Sequence, residues 1–140
     1  MQVVVIDGQG GGLGRQVVAA LKDAALPPLH ILAVGANSTA TAAMLKAGAD
    51  QAATGENAVL AAVRRADLVI GPLGIVIADA LVGEISPAMA AAVGQCRAKK
   101  LLIPVNQCDT IVVGVADLSY GKLIEALVEL VKRECAAADE

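Results

Sequence analysis

"VVVIDGQGGGLGRQVVAAL", residues 3–21, decides the reading of the whole chain, because five of the seven residues from Gly8 to Gly14 are glycine. Val3 to Ile6 is a continuous apolar run ended by Asp7-Gly8, the pattern of a strand buried on both faces. Residues 15–25 carry Val17, Val18 and Leu21 at helical spacing and stop before Pro27-Pro28. A glycine loop between a buried strand and a helix has a specific use. One glycine turns sharply, one lets backbone approach a phosphate, and one lets the helix pack against the sheet. The free N–H groups and dipole of the helix N-terminus then face an anion. Gly8, Gly12 and Gly14 give the spacing GxxxGxG; Gly8, Gly10 and Gly14 also give GxGxxxG. The expected cofactor-binding residues of this loop are Asp7, Gly8, Gln9, Gly10, Gly11, Gly12, Leu13 and Gly14, with Arg15 adding charge in the first helical turn. The alternative is a turn built only for tight packing, although five glycines carry a conformational-entropy cost that packing alone rarely requires. Asp7 would repel a phosphate, so it either caps loop N–H groups or holds a Mg²⁺ that offsets its charge.

Outward from the loop the pattern repeats. Strands are expected at 31–34, 51–53, 68–70 and 101–105, with helices at 38–47, 56–66 and from Ser86-Pro87 to about Gln95. Ser38 or Thr39 is the expected cap of the second helix and Gly48 its stop. The segment 71–83, "GPLGIVIADALVG", reads as a loop with a short helix. A sixth strand is expected at 111–115; "NQCDT" before it is too short for a parallel crossover, so that strand should run antiparallel. Residues 118–135 form the longest helix, with Leu123, Ile124, Leu127, Val128 and Val131 inward and a fraying "AAADE" tail. The fold class is therefore α/β: one doubly wound, Rossmann-like domain over residues 1–140, with a mostly parallel sheet of five to six strands, an antiparallel last strand and a long C-terminal helix.

Composition narrows the function. The chain has 140 residues, 56 % apolar content and a net charge of −3, with no Lys/Arg stripe, no Trp or Phe and a single Tyr. That argues against nucleic-acid binding. No apolar run reaches membrane-spanning length, and no signal peptide is visible at the start, so a cytoplasmic location is expected. Cys96, Cys108 and Cys135 are odd in number and far apart, and His30 is the only histidine; neither a disulfide framework nor a zinc site is expected. His30 falls at the end of the sheet away from the loop. Cys108 lies beside Asp109, which would raise a thiol pKa, so an idle thiol outweighs a nucleophile.

In a doubly wound sheet ligands sit beyond the carboxyl ends of the strands. Besides the glycine loop this places Asn37, Ser38 and Thr39, then Gly71, Pro72, Leu73 and Gly74, and Asn106 at the expected site. The absence of Asp or Glu after the second strand leans towards NADP over NAD, with another adenine nucleotide also open; Ser38 and Thr39 as plain helix caps is the competing reading. Glu84 could reach the mouth of the site but has no recognisable partner, and Glu56 reads as a helix-start acid.

The GxxxGxG spacing of Gly8, Gly12 and Gly14 resembles the cofactor loop of short-chain dehydrogenases over the first strand, loop and helix. That family's Tyr-x-x-x-Lys pair is not matched by Tyr120-Gly121-Lys122, and no catalytic residue is carried over. Over its whole length the chain is similar to a family of short, uncharacterised bacterial proteins with a domain of unknown function. That resemblance rests on "IDGQGGG" followed by a small apolar residue and Gly, "NSTATAAMLKAGA", "ATGENA", "GPLGI", "GEISPAMA" and "IPVNQC". It implies a Rossmann-like fold and no particular reaction.

Three functions are left open: a nucleotide-binding or sensing module, a small oxidoreductase or transferase subunit whose site a dimer partner completes, and an assembly protein with a vestigial loop. A homodimer or higher homo-oligomer is expected from the apolar content. Gly12→Val or Gly14→Val is expected to abolish nucleotide binding while the fold survives.

Overall fold

A computed structural model describes residues 1–105 and 109–140. Its core is a five-stranded, wholly parallel sheet in the order β3-β2-β1-β4-β5. The elements are β1 (Gln2–Asp7), α1 (Gly12–Asp23), β2 (His30–Gly35), α2 (Ser38–Lys46), β3 (Gln51–Thr54), α3 (Glu56–Val63), β4 (Leu68–Pro72), a short 3₁₀ turn (Leu73–Val76), α4 (Pro87–Gln95), β5 (Lys99–Ile103) and α5 (Tyr120–Ala138).

The central strand explains its own sequence. Val3 and Val5 belong to the apolar cluster under α1 and α5, while Val4 and Ile6 belong to the one under α3 and α4. A strand covered on both faces has no solvent side, so its residues do not alternate in polarity. Strand order reverses between β1 and β4, and their carboxyl ends form the crevice where such sheets take ligands. No helix among the described residues is long and apolar enough to cross a membrane.

The α/β class and the long last helix match the expectation, but the antiparallel sixth strand does not form. Residues 111–115 are exposed and irregular. Gly114 sits at φ +85°, and Val115 N–H donates to Val112 C=O across a turn at 3.4 Å. A left-handed glycine inside so short a run ends any extended stretch, so β-propensity had no continuous backbone to act on. At the chain's end helix persists to Ala138 instead of fraying after residue 135, with buried Cys135 holding its last turns on the core. The cap of α2 is Asn37, not Ser38 or Thr39: its Oδ1 accepts from Ala40 N–H at 2.9 Å.

Candidate functional site

The loop leaving β1 is organised by Asp7, the one buried charged residue of the described core at 6 % exposure. One carboxylate oxygen accepts from Gly8 N–H at 2.8 Å and the other from Gly14 N–H at 2.7 Å. The residue thus ties both ends of the glycine loop together, the capping arrangement rather than a phosphate contact. Burial pushes its pKa up, the two N–H donors pull it down, and the nearby Glu84 charge adds to the rise; the net direction is upward.

The glycines divide into two kinds. A Cβ on Gly14 would lie 2.6 Å from Met44 Sδ and 2.9 Å from Asp7 Cβ, and one on Gly11, at φ +73°, would lie 2.8 Å from Ala40 Cα. These two are glycine for packing and turn geometry. A Cβ on Gly10 or Gly12 would meet nothing within 4 Å. Local packing therefore makes no demand for glycine at Gly10 and Gly12.

Glu84, which the sequence places within reach of the site's mouth without a partner, reaches the loop. Its Oε1 accepts from Gln9 N–H at 2.6 Å and its Oε2 from Asn37 Nδ2 at 2.6 Å. Asn37 Nδ2 also donates to Gln9 C=O at 2.9 Å. Gln9 is thereby held through both of its peptide groups. The segment that delivers Glu84 has Asp79, Leu81 and Val82 in left-handed backbone, at φ 66°, 57° and 56°. Such geometry for non-glycine residues, one of them β-branched, is sparsely populated and strained. It is held by Asp79 N–H donating to Ile85 C=O at 2.7 Å and Ile85 N–H to Ala80 C=O at 3.1 Å, with Ala80, Leu81 and Ile85 buried beneath. No sequence rule assigns left-handed turns to Leu and Val, so the partners of Glu84 could not be named from sequence. Glu84→Gln is expected to bring the Asp7 pKa down, because it removes the neighbouring negative charge; an NMR titration of the Asp7 carboxyl carbon reads the shift. Asn37→Ala should cost about 2 kcal/mol in urea unfolding, combining a lost helix cap with the lost bridge to Gln9 and Glu84.

The remaining expected residues fall as follows. Arg15 lies exposed on α1, and Ser38 and Thr39 are exposed at the start of α2. Gly71 and Pro72 end β4 and are buried; a Cβ on Gly71 would lie 2.5 Å from Ile6 C=O and 2.9 Å from Ile75 Cδ1, so this glycine is explained by packing. Leu73 and Gly74 begin the 3₁₀ turn. Asn106 and Cys108 lie outside the described residues. His30 is exposed at the amino end of β2, opposite the loop. Glu56 accepts from Ser86 Oγ at 2.5 Å, linking the starts of α3 and α4.

Around the loop lies a cavity of about 170 Å³, bordered by Gly8 to Leu13, Gln16, Leu81 and Tyr120. Among the described residues, no protein acceptor faces the N–H groups of Gly10, Gly12 and Leu13. The site therefore offers free backbone donors and a small cavity.

The crystal structure of a dodecameric FMN-dependent UbiX-like decarboxylase from Escherichia coli O157:H7 is similar to this chain at 20 % identity and a TM-score of 0.45, covering 94 % of this chain and 77 % of that one. No curated protein sequence matches the chain. The profile of the domain of unknown function DUF3842 matches residues 2–136, nearly the whole length, and the chain belongs to that family.

Proposed function

We propose that the protein is a single-domain binding module for a nucleotide-type phosphate ester, with the phosphate held on loop 8–14. The observation that carries this reading is the set of unpaired N–H groups at Gly10, Gly12 and Leu13, opening on a cavity of about 170 Å³. Free N–H groups at a helix start attract anions, and the lack of local contacts around Gly10 and Gly12 suits close approach of a phosphate. NADP, NAD and other adenine nucleotides, the class expected from the sequence, are tested beside simpler phosphate esters. Asn37, expected at the adenine ribose, is committed to Gln9, Glu84 and the α2 cap, so it favours neither NADP nor NAD. The second reading, a small oxidoreductase or transferase subunit whose site a second copy completes, requires a homo-oligomer, which a light-scattering mass tests. Thermal-shift titration with NADP⁺, NAD⁺, ATP and AMP tests the binding reading. A ligand at a hundredfold excess over Kd stabilises the native state by about 2.7 kcal/mol. No shift with any phosphate ester would move the function to assembly, with the loop a packing device.

A further inference from the structure

Beside the loop cavity lies a second one of about 470 Å³, and Tyr120 borders both. We infer that the two form one site for a ring-bearing monophosphate ester, its phosphate on the glycine loop and its flat ring against Tyr120 in the larger cavity. This inference rests on the phosphate-binding reading above and adds the direction and class of the ligand.

Three observations carry it. The first is closure on the β2 side. Gln9 is bonded through its N–H to Glu84 and through its C=O to Asn37, and Glu84 and Asn37 are bonded to each other. That bridge stands between the loop and the end of β2, the side where a dinucleotide's adenosine half would extend in a sheet of this order. A ligand held on Gly10, Gly12 and Leu13 is left with the β4–β5 side.

The second is what lies on that side. The larger cavity opens beyond the end of β5, bordered among the described residues by Val105, Val112, Val115, Leu123 and the charged Asp117. Its volume of about 470 Å³ falls in the range of small-molecule sites. The Asp117 carboxylate on its border disfavours a second phosphate there.

The third is Tyr120 itself. The chain has one Tyr, no Trp and no Phe, and this single aromatic is placed 41 % exposed where the two cavities meet. It lies at the first residue of α5, whose cap is Ser119, so the helix start is fixed independently of the ring. Aromatic faces stack on flat heterocycles without demanding a particular one.

The test uses the full chain with four probes: inorganic phosphate, nicotinamide mononucleotide, flavin mononucleotide and NADP⁺. Because there is one tyrosine, ¹³C-tyrosine labelling gives one ring signal set. The expected result is that at least one mononucleotide binds more tightly than both phosphate and NADP⁺ and moves the Tyr120 ring signals upfield. Tyr120→Ala should weaken that mononucleotide about tenfold while leaving phosphate within about twofold. Tyr120→Phe should restore the affinity. If phosphate binds but no mononucleotide binds better, or if Tyr120→Ala weakens phosphate and mononucleotide alike, the ring subsite is wrong and the loop reading stands. If NADP⁺ binds tightest, the closed β2 side is wrong. Binding of none of the four overturns the loop reading and this inference with it.

Discussion

Gly14→Val is expected to lose about 3–5 kcal/mol of stability, whereas Gly12→Val should change it by no more than about 0.5 kcal/mol. The sequence treats these two glycines alike, and both substitutions were expected to spare the fold. Their surroundings differ. A side chain at Gly14 enters space already filled by Met44, fully buried, and by the Cβ of Asp7. Overpacking of that kind costs about 1–3 kcal/mol. It also forces Asp7 away from the Gly14 N–H it accepts from at 2.7 Å, and a buried bond to a charged group is worth about 1.5–3 kcal/mol more. A Cβ at Gly12, which borders the loop cavity, meets nothing within 4 Å instead. Urea unfolding of the two variants beside the parent chain reads the contrast. Equal losses at both positions would contradict the division of the loop into packing glycines and ligand-facing glycines.

The second large effect belongs to Asp7. Asp7→Ala leaves the N–H groups of Gly8 and Gly14 without an acceptor at the base of the loop, which should cost about 2–4 kcal/mol after the relief of burying a charge is allowed for. Its pH dependence has a definite sign. The carboxyl titrates above its ordinary 3.8 in the folded chain, so the folded state holds the proton more tightly than the unfolded one. The stability linked to that proton is fully present below the unfolded pKa. It is lost as pH rises through the folded pKa and is constant above it. Parent stability should therefore fall across that acid window relative to Asp7→Asn, which has no proton to release. Parallel pH profiles for the two proteins would show that Asp7 titrates normally and that burial does not dominate its environment.

Much of the fold was legible because periodicity and turn chemistry agreed. The unalternating Val3 to Ile6 could only be a doubly covered strand, and Ser86-Pro87 announced α4, where Ser86 Oγ accepts from Met89 N–H at 3.2 Å. The run at 111–115 misled because β-branched residues favour strands only when a neighbouring strand and an unbroken extended backbone are available, and Gly114 denies the second. Asn37, Ser38 and Thr39 were all given to the ligand, with Ser38 or Thr39 also as the cap; all three residue types cap well, so only the backbone angles could choose among them. The capping role of Asp7 was one of two readings its sequence position offered. The partners of Glu84 were not legible, because its contact with Gln9 spans 75 positions and depends on strained turns that no local pattern encodes. Tyr120 was dismissed because it failed one enzyme family's motif, yet its position at the meeting of two cavities follows from where α5 begins.

The most direct test of the central claim is a calorimetric titration of the parent chain and Gly12→Val with the same phosphate ester, chosen by thermal shift. A Cβ added at Gly12 meets nothing within 4 Å, and Gly12 borders the cavity proposed for the phosphate. Loss of binding with unfolding stability unchanged is the result this account requires. Unchanged affinity in the variant would contradict it and remove the phosphate from loop 8–14.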